Sequence, residues 1–441
     1  MKNRFFKYVS QNILAMIGLS LYILADTYFI SKAVGANGIT ALNMALPVYG
    51  VIFALGQMVG VGSAIRYSIV KEQYRNSNKD GSNECDKYFS GALFWGLVIG
   101  VIFAVLGLVF PGKIVEIMGG DETIVAIGVP YFRIFMSFSP FFIFNYTCNA
   151  FVRNDGNPSV SMAATLISSL FNIVFDYILM FPLGMGMPGA ALATALSPVV
   201  GVMICMIHFL SKKNTVKFKW FKTSLTRLFH CCQVGMSAFV GEMSGAVIVM
   251  VFNFIILRLT GNIGVAAYGV VANTALVAVA VFNGVALGSQ PLISESYGKH
   301  NIKDIKLIEK LGVATALGLA VIIVIMIWGF TDTIVGVFNS QGSDRLLSLA
   351  RVGLRIYFIG FLFAGINIFC SSALSAIASV KWAFVLSILK GFVVVNVCAA
   401  ILAPIFGMNG VWVAFPLSEF ILLIISGFAM KKSIGALESE R

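Results

Sequence analysis

Twelve apolar runs of about 20 residues, joined by short polar connections, leave this chain very few ways to fold. They lie near residues 11–31, 40–65, 89–110, 124–150, 160–182, 189–210, 232–256, 264–291, 311–330, 350–378, 384–405 and 409–430. Each is long enough to cross a bilayer as a helix, which takes about 20 residues. Only 11% of the 441 residues are charged and 59% are hydrophobic. A soluble domain carries about 25% charged residues, so the chain reads as an all-α polytopic membrane protein. Its 43 glycines suit helices that pack closely in lipid.

A formal net charge of +12 could suggest nucleic acid, but its distribution points elsewhere. Lys and Arg divide 23 to 5 between alternate connections, with Arg351 at the edge of the tenth run counted in its connection, and three more fall within the runs. Such a bias sets topology and places both termini in the cytoplasm. It also explains the positive charge as contact with anionic lipid, with no nucleic acid partner. Lys2, Arg4 and Lys7 before the first run resemble the start of a signal peptide. That run is too long, ends in an acid and lacks a small-residue cleavage pattern, so it reads as a retained first helix.

The two halves repeat. Gly35-Ala36-Asn37-Gly38 parallels Gly261-Asn262-Ile263-Gly264, and Gly62-Ser63 parallels Gly288-Ser289 at the same offset of 226. Arg133 and Asn145 parallel Arg355 and Asn367 at 222, and Gly189 with Ser197 parallels Gly410 with Ser418 at 221. Six helices are thus followed by six similar ones in the same orientation. The expected fold is two pseudo-symmetric six-helix lobes, 1–210 and 232–441, joined by a basic cytoplasmic linker at 211–231.

From Ile13 to Ile30 the only acidic or basic side chain is Asp26. A charged Asp at the centre of a span costs about 2.5–3.5 kcal/mol on insertion scales, so a retained acid is a functional candidate. The fifth run supplies Asn172 and Asp176, which share one helix face at i and i+4. Tyr131 in the fourth run and Thr194 in the sixth add further oxygens. Two carboxylates with such neighbours can share a proton or hold a small cation such as Na+, through Asp26, Asn172 and Asp176. The repeat is an internal control. Asp26 corresponds to Phe252, Tyr131 to Gly353 and Thr194 to Phe415, while Asn172 and Asp176 correspond to apolar residues. A polar set confined to one lobe favours a functional site over a generic helix lock.

Glu242, Asn145, Asn367 and Glu419 form a second tier, candidates for substrate contact or secondary polar roles. Lys390 can snorkel or pair with an acid. Arg133 and Arg355, kept in both lobes, are expected to hold helix ends or headgroups. Pro47, Pro130, Pro140, Pro198, Pro291, Pro404 and Pro416 predict kinks. The seven Cys show no zinc or haem spacing; most lie in apolar runs, and Cys85 reads as part of a basic loop. With three His and no phosphate-binding glycine loop, hydrolase chemistry and ATP-driven pumping are both disfavoured. No enzyme activity and no cofactor are expected.

The chain resembles the multidrug and toxic compound extrusion (MATE) family of secondary transporters. The resemblance spans nearly the whole chain. It is carried by Asp26-Thr27 followed by Gly35 and Ala41 to Pro47, by Asn154-Asp155-Gly156-Asn157-Pro158 leading into Asn172 to Asp176, and by Gly189 to Thr194. It implies an inner-membrane antiporter that exports organic cations in exchange for H+ or Na+ by alternating access, acting as a monomer. It also implies that Asp26, Tyr131, Asn172, Asp176 and Thr194 form a first-lobe cation-linked cluster. One branch of the family uses second-lobe acids instead. Here the tenth-run position near Asn367 is not acidic and Glu242 only approximates that branch's acid, so the first-lobe branch is the closer one. A flippase for a lipid-linked oligosaccharide or peptidoglycan precursor is the alternative. Its anionic cargo wants a cationic cavity, and the runs hold only three basic residues. A passive channel or membrane scaffold fits the repeat and the one-sided acid pair less well.

Overall fold

The computed structural model describes residues 1–77, 81–221, 223–338 and 343–439. Among them all regular structure is helical. The elements are α1 (Lys2–Ala33), α2 (Ala36–Asn76), α3 (Ser82–Val109), α4 (Pro111–Ile117), α5 (Glu122–Ser137), α6 (Ser139–Asn154), α7 (Pro158–Met180) and α8 (Gly186–Phe209). They continue as α9 (Leu225–Gly298), α10 (Ile302–Gly329), α11 (Thr331–Phe338), α12 (Asp344–Tyr357), α13 (Phe361–Ala376), α14 (Val380–Ile388) and α15 (Val394–Ser439). A 3-10 turn, Phe358–Gly360, joins α12 to α13, and a π turn, Leu389–Val393, joins α14 to α15.

Nine helical stretches among the described residues are long and apolar enough to cross a membrane, and α5 with α6 forms a tenth, bent by 45°. Two of the nine, Leu225–Gly298 and Val380–Ser439, are double length. Each is broken at a positive-φ glycine, Gly261 (φ 67°) and Gly407 (φ 59°). Splitting them there yields the twelve expected crossings. The 45° bend falls where Ser139-Pro140 opens α6. The prolines at 47, 130, 198, 291, 404 and 416 lie inside helices.

The sequence repeat is also a geometric repeat. Gly35 (φ 78°) corresponds to Gly261, and Gly186 (φ 55°) to Gly407, so the left-handed turn recurs at the same place in each half. An L side chain is strained there, which is why glycine stands at all four. The short α4 is matched by α11, with Val115 and Val335 both fully buried. Asp121 caps α5 by accepting from the Ile124 N–H, and Ser343 caps α12 by accepting from the Leu346 N–H. These side chains each satisfy one of a helix's four unpaired N-terminal donors.

The chain divides into two compact units, Leu14–Phe239 (the N-unit) and Met1–Ile13 with Val240–Arg441 (the C-unit). This differs from the expected lobes at both ends. The first thirteen residues of α1 pack in the C-unit, where Phe5 is fully buried beside Tyr8 and Val9. Gly284 and Gly288 make this possible. A Cβ on either would sit 2.5 Å from the Ile13 Cα or 2.7 Å from the Val9 Cα. Arg4 donates to both Glu295 carboxylate oxygens at 3.2 and 2.7 Å, a paired geometry that also fixes orientation. At the other end, α9 starts at Leu225, so the end of the expected linker (225–231) is helical and packs in the N-unit. Gly62 and Gly235 approach the backbone of Cys231 and Met58 too closely to carry a Cβ. Cys85 is likewise inside α3 and buried, not in a loop.

The rest of the linker is an extended strap tied to the N-unit by alternate backbone N–H groups. Thr215 N–H donates to Asp155 Oδ2 (2.9 Å), Lys217 N–H to Asp86 Oδ1 (2.7 Å) and Lys219 N–H to Ser90 Oγ (2.9 Å). Asp155 also accepts from Tyr67, from the Thr215 hydroxyl, from Lys71 Nζ (2.7 Å), and bonds His208 Nε2 at 2.9 Å. Burial pushes its carboxyl up, but the His208 hydrogen bond and the Lys71 charge outweigh burial and hold it well below the usual carboxylate range.

Candidate functional site: a buried acid pair in the N-unit

Asp26 comes from α1, Tyr131 from α5, Asn172 and Asp176 from α7, and Thr194 from α8. All five are buried, Asn172, Asp176 and Tyr131 completely. The one-face spacing of Asn172 and Asp176 lets Asn172 bridge Asp176 to Thr194 of α8. Oriented to satisfy its neighbours, the Asn172 amide donates Nδ2 to Asp176 Oδ2 at 3.0 Å. Its carbonyl oxygen accepts from the Thr194 hydroxyl and backbone N–H, both at 3.3 Å.

The carboxyls of Asp26 and Asp176 lie within hydrogen-bonding reach of each other. No donor reaches Oδ1 of either residue. An unmet buried polar atom costs about 1–3 kcal/mol, more when charged. Two carboxyl groups can bond each other only when one carries a proton. The arrangement is therefore a proton-holding geometry. Tyr131 stands near both acids without bonding either; its hydroxyl pairs with that of Tyr49 at 2.9 Å. Tyr49, from α2, stacks on Phe135 with ring centroids 3.6 Å apart.

Tyr49 was not among the sequence candidates. The repeat comparison could have found it, because the corresponding residue at offset 226 is Ala275. The remaining candidates fall outside the acid pair's hydrogen bonds. Asn145 bonds Asn149 at 2.9 Å, and its side chain fills the space left by Gly201. Asn367 and Glu419 meet in the C-unit: Asn367 Nδ2 donates to Glu419 Oε2 (2.7 Å) and to its carbonyl (2.9 Å), and Ser426 donates to Asn367 Oδ1 (2.8 Å). Lys390, carried by the π turn, lies within electrostatic reach of Glu419. Glu242 is exposed. Arg133 and Arg355 are exposed as well.

The matching place in the C-unit is an aromatic core. Phe252 stacks on Tyr268 (5.4 Å), Tyr268 lies 6.3 Å from Trp412, and Tyr357 stacks on Phe415 (4.1 Å). Trp412 replaces Ala191 of the first half and occupies the room that Gly353, in place of Tyr131, leaves free. The acid pair is thus a local departure from a shared scaffold, with packing volume restored by a Tyr/Ala to Gly/Trp exchange.

The MatE family model matches the chain twice, over residues 12–178 and 238–405. The chain belongs to the MatE family. Its members are transporters and not enzymes. Among curated relatives, the multidrug export protein MepA of Staphylococcus aureus (strain MRSA252) is 27% identical over 406 residues, 90% of this chain and 86% of that protein. MepA of Staphylococcus saprophyticus is 24% identical over 396 residues, 89% and 85% of the two chains. A solved MATE in complex with MaL6 superposes with a TM-score of 0.93 at 22% identity, covering 99% of this chain and 97% of that one. An outward-facing multidrug resistance MATE family transporter of the MOP superfamily gives 0.92 at 21% identity, covering 99% and 96%. The double match of the family model coincides with the repeat read from the glycines and the caps.

Proposed function

We propose that this MatE protein is a secondary antiporter of the cytoplasmic membrane that exports organic cations in exchange for H+, with Asp26 and Asp176 as the coupling pair. The observation that carries this is the carboxyl–carboxyl contact with both Oδ1 atoms otherwise unpartnered. In this mechanism an outward opening lets a proton enter the pair, which draws α1 and α7 together. Release of that proton on the other side separates them and restores the charge that admits the drug cation. Asn172 and Thr194 carry the change from α7 to α8, and Tyr49 and Tyr131 wall the pair. The relatives named as multidrug export proteins support the substrate class.

Na+ is the second reading. Asp26, Asn172 and Asp176 would be its ligands, but the Asn172 carbonyl is engaged by Thr194, so a sodium ion would need that amide turned. Asn367 with Glu419 locks α13 to α15, whereas Asn145 bonds Asn149 within α6 and packs against Gly201 of α8. Glu242, exposed on its own unit, is the C-unit acid best placed to meet a cationic substrate. Both termini lie on the cytoplasmic side, and the protein works as a monomer.

The test is ethidium uptake into inverted vesicles, with pH and sodium gradients imposed separately. Proton antiport gives accumulation with the pH gradient alone. Accumulation under sodium alone would transfer the role to Na+. A failure of both gradients, together with movement of a lipid-linked anionic cargo, would favour the flippase.

A further inference from the structure

Away from the acid pair, a cavity of about 720 Å³ opens between α3, α6, α8 and the strap. Its size is that of a small-molecule site, about 300–1,000 Å³. Leu97, Phe144, Val202 and Met206 make its apolar wall. Lys87, Lys217, Lys219 and Arg227 stand around the other side, and no acidic side chain lines it among the described residues. Glu84 and Asp86 are turned away into pairs with Lys87, Arg227 and Lys219. Beside this rim, Trp220 is 85% exposed and Phe218 50% exposed on the strap. Aromatic rings interleaved with lysines are the side chains that sit at a bilayer's headgroup level.

We propose that this cavity binds one anionic phospholipid of the adjoining leaflet, its chain against the Leu97–Met206 wall and its headgroup at the Lys217–Lys219 rim. The charge complementarity selects the occupant. The four basic groups outnumber their two acid partners, Glu84 and Asp86, and this excess repels the organic cations that the acid pair attracts and draws a negative headgroup. The apolar wall would reject a hydrated inorganic anion. Because the strap is hung on Asp155, Asp86 and Ser90, a lipid held here also braces it against α3.

The full-length protein is placed in phosphatidylcholine nanodiscs, and its tryptophan fluorescence is followed as brominated-chain phosphatidylglycerol is added. Trp95 and Trp220 both line the cavity, so a bound brominated chain quenches them. Phosphatidylglycerol quenches at a mole fraction at least tenfold below that of brominated phosphatidylcholine. Lys217→Gln with Lys219→Gln raises the half-quenching fraction about 25-fold, since each basic residue at a membrane surface is worth about fivefold (~1 kcal/mol). Gly91→Leu fills the cavity from α3. A Cβ at Gly91 meets nothing within 4 Å, so this variant keeps its melting temperature and loses the phosphatidylglycerol preference. Equal quenching by the two lipids overturns the proposal. So does competition by ethidium, or a Gly91→Leu variant that retains the preference.

Discussion

Asp176→Asn separates coupling from folding. The amide is the same size and can still accept from Asn172, whose Nδ2 lies 3.0 Å from Oδ2 in the native pair. It cannot lose a proton, so the exchange step disappears. The magnitude follows from the site: one carboxyl–carboxyl contact holds one proton. If one proton enters for each monovalent cation leaving, the exchange is electroneutral and one pH unit supplies about 1.36 kcal/mol, a roughly tenfold substrate gradient. If both carboxyls discharge in each cycle, the same pH unit supports about a hundredfold gradient. Steady-state ethidium accumulation in inverted vesicles, measured against imposed pH differences, reads this slope directly. The wild-type protein should give one decade per pH unit or two, and Asp176→Asn should give none. Its melting temperature should not fall, because the variant removes a buried acid that costs about 2.5–3.5 kcal/mol at a span centre. Uphill accumulation by Asp176→Asn at the wild-type slope would refute the coupling role.

Three further outcomes are expected. Tyr131→Phe breaks the 2.9 Å bond to Tyr49 and leaves a buried hydroxyl unpaired, so thermal unfolding in detergent should show a loss of about 1–3 kcal/mol. Gly288→Leu drives a side chain into the Val9 backbone, and proteolysis should then release the N-terminal segment while leaving the N-unit resistant. Asp155 is a carboxyl whose folded value is depressed, so its contribution is present above the unfolded value of about 3.9 and is lost as pH falls below it. Protease cleavage of the strap should therefore be slow and constant from pH 8 to pH 5 and rise below pH 4. Asp155→Ala should be cleaved quickly across the whole range, because it leaves Lys71 and His208 without their acid.

What the sequence made legible follows from how local each signal is. The twelve crossings were readable because a bilayer imposes one length and one composition on every span. The Asn172–Asp176 face was readable because four residues make about one turn of a helix. The pairing with Asp26 came from comparing halves, since only a repeat shows that Phe252 stands where Asp26 does. Other features depend on contacts far apart in the chain. The N-terminal segment joins the C-unit through Gly284 and Gly288, and no local pattern says that these glycines await Val9 and Ile13. The strap is an unremarkable polar stretch until Asp155, Asp86 and Ser90 are seen to receive its N–H groups. Cys85 looked like loop because charges surround it, yet Glu84, Asp86 and Lys87 stand inside α3 and are held in ion pairs with one another, Arg227 and Lys219. Tyr49 looked like one more aromatic in an apolar helix; only its replacement by Ala275 in the second half set it apart in the sequence, and its bond to the Tyr131 hydroxyl explains it.

The division of α1 between the two units has a consequence for biosynthesis. Residues 4–13 are among the last to find their place, because their partners Gly284, Gly288 and Glu295 are made far later. Until then the amphipathic stretch around Phe5 and Val9 has no partner and must wait at the membrane surface. Charge reversal at Arg4 or a polar substitution at Phe5 should therefore spare early insertion and damage the final assembly of the half synthesised last. Expression screens that vary only that segment would then report on late quality control, with chains that insert normally but are degraded after synthesis is complete.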